Sequence, residues 1–123
     1  LFINEVRAKA APSSQQIELY NGGAVPLSLA GFRLAFNDGE LSDPFGALTI
    51  EPAGFVVLDA IDFGFDLGSE ETFKLTLVDD AAALVDMFGP YSTNTSVGWT
   101  MARLPDGGEN VNSMPSTMGL SNL

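Results

Sequence analysis

The stretch Gln16-Ile17-Glu18-Leu19-Tyr20-Asn21-Gly22-Gly23-Ala24-Val25-Pro26-Leu27-Ser28-Leu29-Ala30-Gly31-Phe32-Arg33-Leu34 decides the fold. Its first part alternates: Ile17 and Leu19 fall on one face, Gln16, Glu18 and Tyr20 on the other. A period of two predicts a strand with one face buried. Asn21-Gly22-Gly23 stops it, because Asn and Gly tolerate positive φ. Val25, Leu27 and Leu29 alternate around Pro26, which lacks a ladder donor, so this link reads as an edge strand or extended loop. A further strand opens at Gly31, with Phe32, Leu34 and Phe36 on one face. The stretch speaks to architecture and holds no residue set capable of catalysis.

Outward from it the same grammar repeats. Residues 1–9 are rich in β-formers, yet both faces carry apolar groups, as expected of a strand covered on two sides. Residues 48–50 form a short strand, and Glu51-Pro52-Ala53-Gly54 a tight turn. The continuous apolar run 55–58 reads as a central strand buried on both faces. Residues 59–69 read as an irregular loop whose Phe63, Phe65 and Leu67 pack back on the core. Residues 71–78 show the clearest alternation, with Phe73, Leu75 and Leu77 inward. Residues 84–88 are the partner strand, ended by Gly89-Pro90, and 91–97 form a polar loop. The last strand, 98–104, sets Trp99, Met101 and Arg103 on one face. Residues 105–123 read as an extended C-terminal tail, docked by Met114, Met118 and Leu120. No segment has a helical period. The expectation is one all-β domain over residues 1–123, an Ig-like β-sandwich of about seven to nine short antiparallel strands.

Composition narrows the function classes. The net charge is −11, from five basic and sixteen acidic residues, so the basic patch that duplex binding needs is missing. Direct nucleic-acid binding is not expected. With no Cys and no His, thiol nucleophiles, zinc sites of the usual kinds and Ser-His-Asp triads are excluded. No apolar run approaches the roughly 20 residues of a membrane span. The chain starts at Leu1 within a strand-like run, which reads as a domain drawn from a larger protein.

An ordered series of pieces carries a family resemblance. It runs Ile3-Asn4-Glu5-Val6, Ile17-Glu18-Leu19-Tyr20-Asn21, Leu29-Ala30-Gly31-Phe32-Arg33-Leu34 and Ile50-Glu51-Pro52-Ala53-Gly54-Phe55-Val56-Val57-Leu58. It continues with Phe73-Lys74-Leu75, Arg103-Leu104-Pro105-Asp106-Gly107 and Gly119-Leu120-Ser121-Asn122. In this order the series resembles the bacterial branch of the lamin tail domain family, over residues 2–122. Gln16 stands where bacterial members usually carry Trp, and Met118-Gly119 where many carry Pro-Gly. The resemblance implies an Ig-like, non-enzymatic accessory module of extracytoplasmic bacterial proteins, secreted, periplasmic or cell-surface. Its partner would be a protein or a neighbouring domain of the same chain.

Three sets of residues are candidates for chemistry. Glu5, Glu18 and Arg103 are the polar members of the family-like pieces. They read either as a binding site or, preferably, as a structural ion pair tying the first, second and last strands, since the Arg fork suits a carboxylate. Asp59, Asp62 and Asp66 lie in one loop and are a candidate calcium set, against the plainer reading of solvated turn residues. Otherwise no cofactor is expected. Trp99 reads as core or as a stacking platform, while Tyr91 and Asn94 sit in a polar loop suited to contacts. Three functions stay open: a protein-interaction module, a calcium- or carbohydrate-binding domain, and a structural spacer or self-association domain.

Overall fold

The computed structural model describes residues 1–122. The chain is all-β, with antiparallel sheets packed as a sandwich. The strands are β1 (Phe2–Arg7), β2 (Gln16–Tyr20), β3 (Leu27–Ser28), β4 (Arg33–Phe36), β5 (Glu40–Leu41) and β6 (Thr49–Ile50). They continue with β7 (Phe55–Asp59), β8 (Thr72–Val78), β9 (Leu84–Ser92), β10 (Thr100–Arg103) and β11 (Val111–Met114). A five-stranded sheet has the order β11-β10-β1-β2-β7, a four-stranded sheet the order β5-β4-β8-β9, and β3 pairs with β6. The described residues thus hold eleven strands, more than expected, because β3, β5 and β6 are only two residues long. No helix among them is long and apolar enough to cross a membrane.

The alternation seen in the sequence becomes the two inner faces. Val6, Ile17 and Leu58 stand in one cross-strand row of the larger sheet, and Ile3 and Leu19 in another. Opposite them, Leu34 pairs with Leu77, Phe36 with Leu75, and Leu75 with Phe88. All of these side chains are buried in a single cluster. Phe63, Phe65 and Leu67 close one end of it, as the sequence predicts.

Asn21 explains the opening stretch. Its carboxamide donates to the Val25 and Ile50 carbonyls and accepts from Gly23 N–H, so one buried side chain folds the 21–25 link and holds it to β6. The mixed faces of the first strand also have a cause. A bulge lies between Ile3 and Glu5, because Ile3 pairs with Leu19 while Glu5 pairs with Glu18. The extra residue lets Ile3 and Val6 both point inward, and Asn4 and Glu5 point outward.

Four expectations are corrected. β7 is the edge of its sheet, not a central strand; Leu58 points in, but Val57 on the outer face is 37% exposed. An apolar run cannot distinguish a doubly buried strand from an edge strand whose outer face packs sideways, here through the rings of Phe2, Tyr20 and Phe55. Residues 60–63 form a one-turn helix, α1 (Ala60–Phe63), too short to show a period. The tail is not simply extended: it includes β11, and its residues 115–122 lie across the outer face of the larger sheet. Finally, β9 does not stop at Gly89-Pro90 but runs to Ser92. Phe73 pairs with Tyr91 and Leu75 with Phe88, so Gly89 and Pro90 together face Lys74 as a bulge. Such a bulge can hold a residue that lacks a ladder donor.

Gly89 has φ +99°, and a Cβ there would approach the Phe73 carbonyl oxygen to 2.6 Å. Both the backbone conformation and the space demand glycine. Gly89→Ala is expected to destabilise the domain by about 2 kcal/mol or more, measured by urea denaturation. An unchanged midpoint would show that β9 ends before this position.

Candidate functional site

Glu5 and Glu18 are direct cross-strand partners on the outer face of the larger sheet, where a side chain normally meets water. Both are 0% exposed. Segment 115–122 covers them and supplies donors. Thr117 N–H donates to Glu5 Oε2 at 2.8 Å, and the Thr117 hydroxyl lies 2.7 Å from Glu5 Oε1. Gly119 N–H donates to Glu18 Oε2 at 2.6 Å. From within the sheet, Thr100 Oγ1 donates to Glu5 and Asn4 Nδ2 to Glu18. Asp106, in the turn after β10, accepts from Asn4, Ser121 and Asn122. Asn122 Nδ2 donates to the Arg103 carbonyl at 2.9 Å. Among the described residues the network contains no cation. Burial pushes the Glu18 carboxyl up to about 7, with Glu5 and Asp106 adding to the rise, although the bonds from Asn4 and Gly119 pull the other way. Shielded in this way, neither carboxylate is open to a substrate.

Arg103 does not pair with Glu5 or Glu18. Its guanidinium lies 3.2 Å from Asp86 Oδ2, and both side chains are largely buried. The reason is strand parity. Ala102 is the register partner of Glu5, so Arg103 shares the inward face with Met101, whose partner is Val6. Asp86 points inward from β9, beside Leu77. Arg103 also donates to the carbonyls of Ile3, Gly108 and Met87, and sits 5.4 Å from the Phe88 ring centroid. Asp86 Oδ2 further accepts from Ile3 N–H at 2.8 Å. This clamp ties β1 and β10 of one sheet to β9 of the other. Asp86 could have been found in the sequence, since it is a charged residue sharing the inward parity of Phe88.

The remaining candidates lie toward the opposite end of the sandwich. There β1 leads into Lys9, β7 into α1, and β9 into the 93–99 loop. Gly98 N–H donates to the Lys9 carbonyl, and Lys9 Nζ to Asn94 Oδ1 at 3.2 Å. Lys9, Asp66, Thr93 and Asn94 line a cavity of about 300 Å³. Gln15 is the organiser that the sequence reading missed. Its buried amide donates to Ala8 O and Asp66 Oδ1 and accepts from Leu67 N–H, fixing the 66–67 loop to the end of β1. Trp99 is not a core residue: it precedes β10 and is 39% exposed. Tyr91 is the residue that packs, meeting Phe73 and Phe88 edge-on, so the two aromatics do not form one platform.

The three aspartates are not brought together as a calcium set. Asp59 and Asp62 form the capping box of α1, where each side chain accepts a backbone N–H. Asp66 instead accepts from Gln15 and Gly68. Among the described residues no group of three or more acidic side chains is placed to hold a metal ion. Comparison with protein-family models, curated proteins and solved structures finds no match for this chain.

Removing one member of a largely buried ion pair strands the other. Asp86→Ala is therefore expected to cost about 3 kcal/mol. The melting temperature should fall on the order of 10 °C by calorimetry. An unchanged melting curve would place the stabilising partner of Arg103 elsewhere.

Proposed function

We propose that this chain is a non-catalytic accessory domain of the lamin tail kind, acting within a larger extracytoplasmic bacterial protein. It makes contact with a protein partner or a neighbouring domain through the end that carries α1 and the 93–99 loop. The observation behind this reading is the exposure of three large apolar residues there: Ile61 at 93%, Val97 at 77% and Trp99 at 39%. They accompany the Lys9–Asn94 pair and the cavity beside it. Loops carried at one end of a rigid sandwich can vary without disturbing the core, which is why such ends serve for contacts. Half-exposed aromatic side chains are the usual anchors of a protein interface. The mixed lining and modest size of the cavity suit the rim of such an interface better than an enclosed small-molecule site.

The test is photo-cross-linking in the native full-length protein. A photoreactive residue is placed at position 61 or 99, and for comparison at 25 or 84, exposed positions toward the other end. Cross-links to a neighbouring domain or a second protein are expected from 61 and 99. Cross-links arising only from 25 and 84 overturn the assignment of this end, and a link from 61 to the same domain of another copy replaces it with self-association.

A further inference from the structure

We propose that residues 115–122 act as a pH-gated strap over the outer face of the larger sheet, closed while Glu18 holds a proton and loosened once Glu18 ionises beside Glu5. The geometry makes attachment of the strap depend on these carboxylates. Thr117 and Gly119 grip Glu5 and Glu18 directly, and Asn122 is held by Asp106 and the Arg103 carbonyl. Apolar anchoring is slight, because Leu120 is exposed and Met118 only half-buried. The strap is thus a hydrogen-bonded cover, and its fit responds to the charge beneath it.

Among the described residues the charged groups facing Glu18 are acidic. Glu5 stands across from it on β1, and Asp106 approaches from the turn after β10. On its other side β7 offers Val57, which is uncharged. Among the described residues the strap brings Thr117, Gly119, Ser121 and Asn122, none of them charged. Arg7 lies on the same face of β1 but one row away, opposite Gln16, and makes no ion pair among the described residues. Arg103 contributes its carbonyl here, while its guanidinium is turned through to Asp86 on the inner face. Ionised Glu18 would be a buried charge facing two acidic neighbours, and opening the strap lets water reach it.

The sign follows from linkage. The closed state holds the Glu18 proton up to about pH 7, whereas an opened, hydrated carboxyl loses it near the ordinary 4.5. Between these values the closed state binds more protons, so closure weakens as pH rises, by up to about tenfold per unit. Below the ordinary value and above the raised one, Glu18 adds no further slope.

The experiment is amide hydrogen exchange on the whole domain, with rates corrected for the intrinsic effect of pH. Protection of the Thr117 and Gly119 amides is expected to fall roughly 100-fold between pH 5 and 7.5. Protection of the Leu75 and Leu77 amides in β8 should change far less. Glu18→Gln should flatten the pH dependence of the strap amides. Carbon-13 titration of the wild-type Glu18 carboxyl is a second arm that does not require the variant to fold. Its midpoint should fall in the range over which strap protection is lost. Strap protection that is constant from pH 5 to 8 overturns the proposal. So does a parallel loss in β8, a pH dependence retained in a folded Glu18→Gln, or a Glu18 midpoint near the ordinary value.

Discussion

The burial of two facing carboxylates on the outward side of a sheet is the constraint around which the larger sheet is arranged. Like charges directly opposite one another on neighbouring strands are unfavourable, and burial compounds the cost. The chain answers with neutral donors. The bulge in β1 turns Asn4 toward Glu18, Thr100 reaches Glu5 from β10, and the C-terminal segment adds Thr117 and Gly119. Segment 115–122 is consequently part of the fold, although it contributes few apolar side chains. Its docking turns an ordinary solvent face into a second, polar interior.

The two interiors are held by different physics. Between the sheets the cohesion is apolar contact, closed toward one end by the Arg103–Asp86 clamp. That clamp sits where β1, β9 and β10 meet, and Asp86 serves the Ile3 N–H as well as the guanidinium. A charge pair there is tolerated because each side chain has several partners, so neither is buried with unmet hydrogen-bonding capacity. Outside the larger sheet the cohesion is a hydrogen-bond network that, among the described residues, includes no cation. The domain thus combines an apolar core between its sheets with a hydrogen-bonded cover outside the larger one.

The end proposed for contact lies apart from these structural devices. The clamp, the carboxylate pair and the aromatic row Phe2–Tyr20–Phe55 are committed to holding strands together. The opposite end is built from short loops fixed at their bases by Gln15 and by the capping box of α1, leaving Ile61, Val97 and Trp99 outward. A rigid base with exposed apolar tips costs little conformational entropy on docking.

Local pattern is enough to establish the all-β class, the inward residues of β2, β4 and β8, and the packing of Phe63, Phe65 and Leu67. These are legible because alternation and turn residues are local signals. Which face Arg103 occupies was legible too, from its parity with Met101, but its partner was not. Choosing Asp86 over Glu5 or Glu18 required knowing which strands face each other across the sandwich. The bulge at Asn4, the edge position of β7 and the passage of β9 through Gly89-Pro90 depend on register between distant strands. The separate fates of Asp59, Asp62 and Asp66 turn on a single helical turn too short to show a period. Glu5 and Glu18 carry the same lesson furthest. By alternation Glu18 is a surface residue and Glu5 shares the face of Ile3; the bulge turns Glu5 outward, and only the return of the C-terminal segment a hundred residues later makes both interior. Burial of that kind is a property of two segments meeting, and neither segment encodes it alone.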